Sequence, residues 1–275
     1  MPAVVYIAGY GRSGSTVLDI MLNAHPEIVG AGELTYLFDE IIAPGRVCAC
    51  DRAYQACVIW GPLTQRVDIA RAARVTRQLD KRRALILGPA TAGPGGDDAR
   101  LDAEYRQLMW TVFGHIGAVT GARYVVDSSK TAREAAYRPL ALRDIAGLEV
   151  KVIHLVRAMT KTVQSLHRLD NWKAEGHSRR LRFAGLRAAP GWLLANENAS
   201  RLAREFGPDS YLKLRCEELR HDPESVIRQL STFLDCDLSD VLARIGAGRP
   251  FAPGHQVGGN RLRKEGGVVF RAASA

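Results

Sequence analysis

Short apolar runs alternate with longer amphipathic stretches along most of this chain. The runs are rich in valine, isoleucine and leucine and lie at residues 4–8, 28–34, 124–127 and 151–157, and a further predicted strand with more charged residues lies at 211–219. Runs of this length are typical of buried strands. Apolar positions at helical spacing predict helices at 17–22, 62–86, 101–119, 191–206 and 223–234, with others beginning near Thr131 and after Arg157. With this pattern, 275 residues form one α/β domain or two small ones.

The first strand leads into a glycine-rich loop. Residues 9–16 read Gly-Tyr-Gly-Arg-Ser-Gly-Ser-Thr and open a helix. Backbone N–H groups at the start of a helix attract anions, and glycines let the backbone approach a phosphate closely. The loop matches the P-loop pattern G-x-x-x-x-G-K-[ST], except that Ser15 occupies the lysine position. The cation is Arg12 instead, whose planar guanidinium suits two oxygens of one phosphate or sulfate.

The net charge and the cysteine content indicate which kind of partner and which cell compartment to expect. A formal net charge of +9 indicates an anionic partner. Nucleic acid is one candidate, but no nucleic-acid-binding signature is present, and a doubly charged nucleotide and an acidic substrate would account for the excess positive charge equally well. There is no apolar run of about 20 residues and no signal-peptide pattern. Five cysteines, an odd number, are typical of a reducing compartment, so we expect a cytoplasmic protein without stable membrane insertion.

Polar groups also follow the other strands. Asp127-Ser-Ser-Lys130 comes directly after one run, and Arg157 ends another, with Ser165 eight residues later. Glu33 lies near the end of the run at 28–34. Because the carboxyl ends of parallel strands share one edge of a sheet, we expect such groups to open on the same edge as the first loop.

These motifs resemble those of sulfotransferases that use 3′-phosphoadenosine-5′-phosphosulfate (PAPS). The pattern L-x-x-H-P followed by Gly-Glu33 is similar to the protein-tyrosine sulfotransferase branch. The resemblance implies a three-layer, P-loop-like α/β fold, with a central parallel sheet of four to five strands flanked by helices. It implies one domain over residues 1–275, with a cysteine-containing and helical insert at about 44–100. The implied reaction moves a sulfuryl group to a hydroxyl of a small-molecule, lipid or glycan acceptor, leaves 3′-phosphoadenosine-5′-phosphate (PAP) and requires no metal.

The resemblance also implies a role for each residue. Glu33 would be the general base, and Arg12 and Lys130 would hold the transferring group and offset charge on the leaving phosphate. The 5′-phosphate would lie on the glycine-rich loop, and the 3′-phosphate would lie on Arg157 and Ser165. The implied cofactor-binding residues are Gly11, Arg12, Ser13, Gly14, Ser15, Thr16, Arg157, Ser165, Arg261 and Arg263.

The segment 255–263 matches the family's late loop, H-x-x-x-G-N-x-x-R. Through it Arg261 and Arg263 would reach the 3′-phosphate, although which of them points inward is open. A disordered basic tail is the alternative. The basic segment 173–187 corresponds to part of the family's acceptor gate.

Cys48, Cys50 and Cys57 lie within ten residues and precede Trp60. They resemble a short C-x-C…C-x-x-W insert of some bacterial sulfotransferases. A tetrahedral zinc site needs a fourth ligand, and none lies at standard spacing. His25 and Cys216 are only remote candidates, so the sequence favours a local disulfide or free thiols at least as much as zinc, and we predict no metal.

Two other functions are compatible with the sequence. A P-loop kinase or other nucleotide-binding phosphotransferase would bind ATP with magnesium, but it would lack the lysine of its phosphate loop. A non-catalytic anion- or nucleic-acid-binding protein would use the basic surface alone, and its binding would fall steeply with salt.

Overall fold

A computed structural model describes the backbone of residues 1–81, 96–132, 135–174, 184–259 and 261–272. Five strands form one parallel sheet with the order β2-β3-β1-β4-β5. They are β1 (Ala3–Ala8), β2 (Ile28–Gly30), β3 (Tyr124–Asp127), β4 (Val150–Val156) and β5 (Tyr211–Arg215). The predicted parallel sheet of four to five strands is therefore confirmed.

The sheet separates two apolar cores. Every residue of the central strand β1 is buried. Its even-numbered residues pack in one core and its odd-numbered residues in the other. A strand that is covered on both faces must be apolar at every position, which explains why its sequence is a continuous run rather than an alternating one.

Helices cover both faces of the sheet. They are α1 (Ser15–Leu22), α2 (Leu37–Ile42), α3 (Trp60–Thr64), α4 (Ile69–Lys81), α5 (Gly96–Thr120), α6 (Arg138–Leu140), α7 (Met159–Ala174), α8 (Ala184–Phe206), α9 (Cys216–His221), α10 (Pro223–Leu234) and α11 (Ser239–Gly246). Short 3₁₀ turns lie at Leu34–Tyr36, Tyr54–Ala56 and Arg261–Lys264, and a π turn at Ala141–Ile145 extends α6. None of the helices in these described ranges has the length and apolar character needed to cross a membrane.

Some predicted boundaries are wrong. The helix expected near Thr131 begins at Arg138, and the backbone N–H of Thr131 donates to the carbonyl of Gly9 at 3.1 Å. The run at 28–34 is a strand only to Gly30, and the chain turns at Gly32, whose φ is +78°.

The run at 211–219 is a strand only to Arg215, after which α9 begins. The helical pattern at 62–86 is divided between α3 and α4. Most of the predicted loop at 88–98 lies outside the described residues.

The insert packs on the same core as one face of the sheet. Buried residues of α3 and α4, together with Cys48, Tyr54 and Cys57, belong to the apolar cluster that contains the even-numbered residues of β1. The insert therefore contributes to the core instead of standing apart from it.

Candidate active site

The carboxyl ends of β1, β3 and β4 lie side by side at the point where the chain stops adding strands on one side of β1 and begins to add them on the other. From the central strand β1, the chain continues to β2 and β3 on one side and to β4 and β5 on the other. The loops that leave neighbouring strands in opposite directions open a crevice in folds of this kind. All the polar motifs that follow these three strands lie at this crevice.

The loop after β1 depends on unusual backbone conformations. Gly9 has φ +122°, and a Cβ there would lie 2.5 Å from the carbonyl oxygen of Leu155. Arg12 has φ +69° and Gly14 has φ +92°. Helix α1 then begins at Ser15, so its first N–H groups face the loop. Such a loop can approach an anion with its backbone.

Basic side chains converge on this loop. The Nε of Arg12 donates to Ser165 Oγ at 3.0 Å, and a guanidinium nitrogen of Arg157 donates to the carbonyl of Arg12 at 3.0 Å. Burial lowers the pKa of Arg12, and the positive charges of Arg157 and Arg261 lower it further. Like charges this close repel one another, so the arrangement favours an anion that lies between them.

Glu33 and Lys130 form an ion pair beside the loop. Their side chains are only 15% and 11% exposed. The Nζ of Lys130 also donates to the carbonyl of Ser128 at 3.2 Å. Lys130 has φ +70°, a conformation that a residue with a side chain adopts only at a cost, and its N–H is bound to the carbonyl of Ile7 at 3.1 Å. The turn after β3 is thus held directly against β1.

A buried ionic network supports that turn. Asp127 accepts from the backbone N–H of Ser129 at 3.1 Å and from the Nε of Arg138 at 2.7 Å. Arg138 also contacts Asp80 of helix α4 at 3.1 Å, and Asp80 accepts from the hydroxyl of Thr35 at 2.7 Å. The two carboxylates raise the pKa of Arg138 against the opposing effect of its burial. Arg138 therefore connects the turn that contains Lys130 with helix α4 of the insert.

A third buried carboxyl, that of Asp19, contacts the backbone beside Glu33. Asp19 of α1 accepts from the backbone N–H of Gly32 at 3.1 Å. Burial raises the pKa of Asp19 to about 7. This contact fixes the peptide next to Glu33.

Several of the predicted residues line one cavity of about 330 Å³. Its lining residues are Gly11, Arg12, Gly14, Ser15, Thr16, Val17, Glu33, Lys130, Arg157, Gly259 and Leu262. A second cavity of about 410 Å³ is lined by Arg157, Lys161, Gln164, Ser165, Cys216, Glu217, Arg220 and His221. Because Arg157 lines both, the two cavities adjoin at its side chain. A larger cavity of about 900 Å³ shares no residue with either and lies beside Lys151 and Leu212.

The tail closes the crevice near Glu33. The backbone N–H of Glu33 donates to the carbonyl of Val257 at 2.7 Å. Gly259 has φ +81°, and a Cβ there would lie 3.2 Å from Glu33 Oε1 and 3.6 Å from Thr16 Oγ1. Only glycine fits this approach without displacing its neighbours. The described part of the tail is therefore packed against the site.

The structure places the two predicted tail arginines differently. Arg263 is 5% exposed, lies 3.6 Å from Glu40 and donates to the carbonyls of Val47 and Gln256 at 3.3 and 3.4 Å. These contacts occupy its guanidinium and turn it toward the insert, away from the residues that line the cavity. Arg261, whose charge acts on Arg12, is the arginine of this pair that lies near the cavity.

Most predicted site residues lie together, and some supporting residues were missed. Arg12, Glu33, Lys130 and Arg157 line the cavity, while Ser165 reaches it through its contact with Arg12. The side chain of Ser13 is buried and does not line it. Asp80 and Arg138 were not predicted, because only contacts between distant segments reveal their roles. Asn260 and most of the predicted gate at 173–187 lie outside the described residues.

Comparisons with known proteins identify the family of this chain. A sequence model of the sulfotransferase family matches residues 2–240. A search of curated protein sequences finds no match. Among solved structures, the sulfotransferase domain of an olefin synthase from Synechococcus PCC 7002 is 21% identical, with 97% of this chain and 80% of that chain covered and a TM-score of 0.53.

Two further structures are less similar. The sulfotransferase domain from the curacin biosynthetic pathway is 21% identical, with 86% of this chain and 75% of that chain covered and a TM-score of 0.49. A sulfotransferase from Mycobacterium avium is 15% identical, with 88% and 66% covered and a TM-score of 0.49. At these identities the likeness to the Synechococcus domain concerns the fold alone, and the family assignment follows from the sequence model. The chain belongs to the sulfotransferase family.

Proposed function

We propose that this protein transfers a sulfuryl group from PAPS to a hydroxyl of a small-molecule, lipid or glycan acceptor. The observation that carries the proposal is the shared cavity of Arg12, Arg157, Glu33 and Lys130. Arg12 and Arg157 would bind the two phosphate-bearing ends of the donor, and the carboxylate of Glu33 would accept the proton of the acceptor hydroxyl. All three residues line the same cavity.

The groups of this crevice suit such a donor. Arg12 and the first N–H groups of α1 would hold the 5′ end, where the sulfuryl group leaves. Arg157 lies between the two adjoining cavities, so a molecule that fills both passes its guanidinium. Arg157, Ser165 and Arg261 would hold the 3′-phosphate, which distinguishes the donor from ordinary adenine nucleotides. When bound, PAPS supplies a sulfuryl group attached to a phosphate leaving group.

The remaining residues would act on the transfer itself. Glu33 would accept the proton of the acceptor hydroxyl as the new sulfur–oxygen bond forms. Lys130 would offset negative charge on the departing phosphate oxygen as the old sulfur–oxygen bond breaks. The contact between Lys130 and Glu33 keeps both groups at the same wall of the cavity.

A phosphotransferase that uses ATP and magnesium is the less favoured function. Ser15 stands where such a loop carries its lysine, and helix α1 begins at this residue. The cation of the loop is Arg12, which contacts Ser165 of α7.

Calorimetry with PAP, adenosine 5′-phosphate and ATP with magnesium separates these functions. A charged hydrogen-bonding contact to the 3′-phosphate is worth about 1.5–3 kcal/mol, so PAP should bind roughly 10- to 150-fold more tightly than adenosine 5′-phosphate. Tighter binding of ATP with magnesium than of PAP would refute the proposal. Radiolabelled PAPS, incubated with pools of phenols, sugars and lipid alcohols, then identifies the acceptor class.

A further inference from the structure

Three cysteines and one histidine meet beside the insert. Cys48, Cys50 and Cys57 come from the segment before α3, and His255 comes from the tail about 200 residues later in the chain. One potential ligand atom from each of the four lies within 4.8 Å of the others. All three cysteines are free thiols, so the local disulfide that the sequence left open is not formed in this structure.

The spacing of these atoms fits a tetrahedral ion. With Zn–S bonds of about 2.3 Å and Zn–N bonds of about 2.0 Å, two sulfur ligands lie about 3.8 Å apart, and a sulfur and a nitrogen lie about 3.5 Å apart. The Sγ atoms of Cys48 and Cys57 are 3.7 Å apart. The Nδ1 of His255 is 3.2 Å from the Sγ of Cys57 and 3.9 Å from that of Cys48. The three measured distances between ligand atoms thus lie around those expected for tetrahedral coordination of zinc.

The backbone around the cysteines is folded into a tight turn. Val47 and Ala53 form an antiparallel bridge, and Cys48 N–H donates to the carbonyl of Arg52 at 2.9 Å. Asp51 adopts φ +60°, which lets the turn present Cys48 and Cys50 on the same side. A left-handed residue at this position is costly and needs support from its surroundings.

The histidine is held from outside the cluster. The indole Nε1 of Trp60 donates to the carbonyl of His255 at 2.8 Å. This contact places the backbone of His255 over the start of α3 while its ring nitrogen faces the sulfur atoms. The motif C-x-C…C-x-x-W therefore provides three ligands and the residue that positions the fourth.

We propose that Cys48, Cys50, Cys57 and His255 bind a zinc ion. Three thiolates and one imidazole form the Cys₃His set of structural zinc sites, and soft sulfur ligands in a tetrahedral arrangement select zinc over magnesium, calcium or manganese. Four protein ligands fill the coordination sphere, so the ion stabilises the fold and takes no part in sulfuryl transfer. The expectation of no metal arose because the fourth ligand is distant in sequence.

The ion connects the tail to the candidate active site. Two residues after His255, Val257 accepts from the N–H of Glu33 and donates to the carbonyl of Ala31 at 2.9 Å. Two residues further, Gly259 lies against the Glu33 carboxylate. A metal that holds His255 against the insert therefore also keeps the tail paired beside the proposed base.

Metal analysis of the wild-type protein tests the site directly. The protein is purified under reducing conditions without chelators, and we expect one zinc ion per chain. X-ray absorption at the zinc edge should give three sulfur ligands at about 2.3 Å and one nitrogen at about 2.0 Å. Failure of the reduced protein to take up added Zn²⁺, or a coordination shell of oxygen and nitrogen alone, would overturn the proposal.

Single substitutions then identify the ligands. Cys57→Ser and His255→Asn should each weaken zinc binding, measured by competition with a chromophoric chelator, by more than the roughly 10- to 100-fold that loss of an outer partner causes. Cys236→Ser is the matched control, because this thiol lies 3.4 Å from His25 in a different and more exposed group. If Cys236→Ser loses zinc and Cys57→Ser retains it, the ion is bound by the group of His25, Glu27 and Cys236, and the assignment is refuted.

Hydrogen exchange of the wild-type protein tests the consequence for the tail. Zinc removal by a chelator should accelerate exchange of the Glu33 and Val257 amides, while amides of the central strand β1 stay protected. Unchanged exchange at Glu33 and Val257 would show that the ion does not hold the tail. None of these measurements uses PAP or an acceptor, so their results are independent of the proposed function.

Discussion

Replacing Asp19 with asparagine should change how the stability of this protein depends on pH. The carboxyl of Asp19 is fully buried, and burial raises its pKa from 3.8 to about 7. In the unfolded chain the same group titrates near its ordinary value. Between these two values the folded state holds a proton that the unfolded state has lost, so the free energy of unfolding decreases as the pH rises.

The size of the effect follows from the two pKa values. A difference of about 3 pKa units at 1.36 kcal/mol each corresponds to about 4 kcal/mol. Stability from this group is fully present below about pH 4 and is lost as the pH rises through 7. Asparagine carries no ionisable proton and keeps an oxygen that can accept from Gly32, so Asp19→Asn should lack this dependence.

Urea unfolding of both proteins at several pH values between 4 and 8 measures the difference. We expect the free energy of unfolding of Asp19→Asn, relative to the wild type, to increase by about 3–4 kcal/mol from pH 4 to pH 8. Groups that titrate in both proteins cancel in this comparison. Substitution of the exposed Asp209 by asparagine is the control and should show no such trend. A wild-type-to-variant difference that is constant with pH would refute the reasoning.

Three further predictions concern the site and its support. Arg157→Ala should weaken PAP binding in calorimetry by about 1.5–3 kcal/mol, whereas Arg249→Ala, at an exposed position, should leave it unchanged; equal affinities would remove Arg157 from the proposed 3′-phosphate site. Glu33→Gln should abolish turnover of radiolabelled PAPS with an identified acceptor while PAP binding is retained, and full activity would require another base. Arg138→Met should lower the free energy of unfolding in urea by about 3–5 kcal/mol, because it leaves two buried carboxylates without their cation; a loss below about 1 kcal/mol would show that the network contributes little.

Local patterns in the sequence were sufficient to predict the strands, and the resemblance to sulfotransferases implied their parallel arrangement in one sheet. The central strand β1 is an apolar run because both faces of the sheet are covered there, and this property is visible in a few consecutive residues. The glycine-rich loop, the Asp127–Lys130 turn and Arg157 each follow such a run directly. Their meeting at one edge follows from the parallel arrangement of the strands, without knowledge of any side-chain contact.

Contacts between distant segments could not be predicted in this way. The pairing of Arg138 with Asp80 depends on how α4 packs over the turn after β3, and neither neighbourhood in sequence indicates the other. The meeting of His255 with Cys57 depends on a tail that crosses the molecule to reach the insert. Arg263 shows the same limit, since its position in the motif gave no sign that Glu40 would be its partner.

The shared cation Arg138 has a consequence for protein engineering. Exchanging the insert at about 44–100 between related sulfotransferases would replace helix α4 together with its contacts to the core. Here such a graft would take away Asp80 and leave the guanidinium of Arg138, which is 1% exposed, with one counter-ion instead of two. A successful chimera therefore has to preserve an acidic residue at position 80, or replace positions 80, 127 and 138 together with apolar side chains of matching volume.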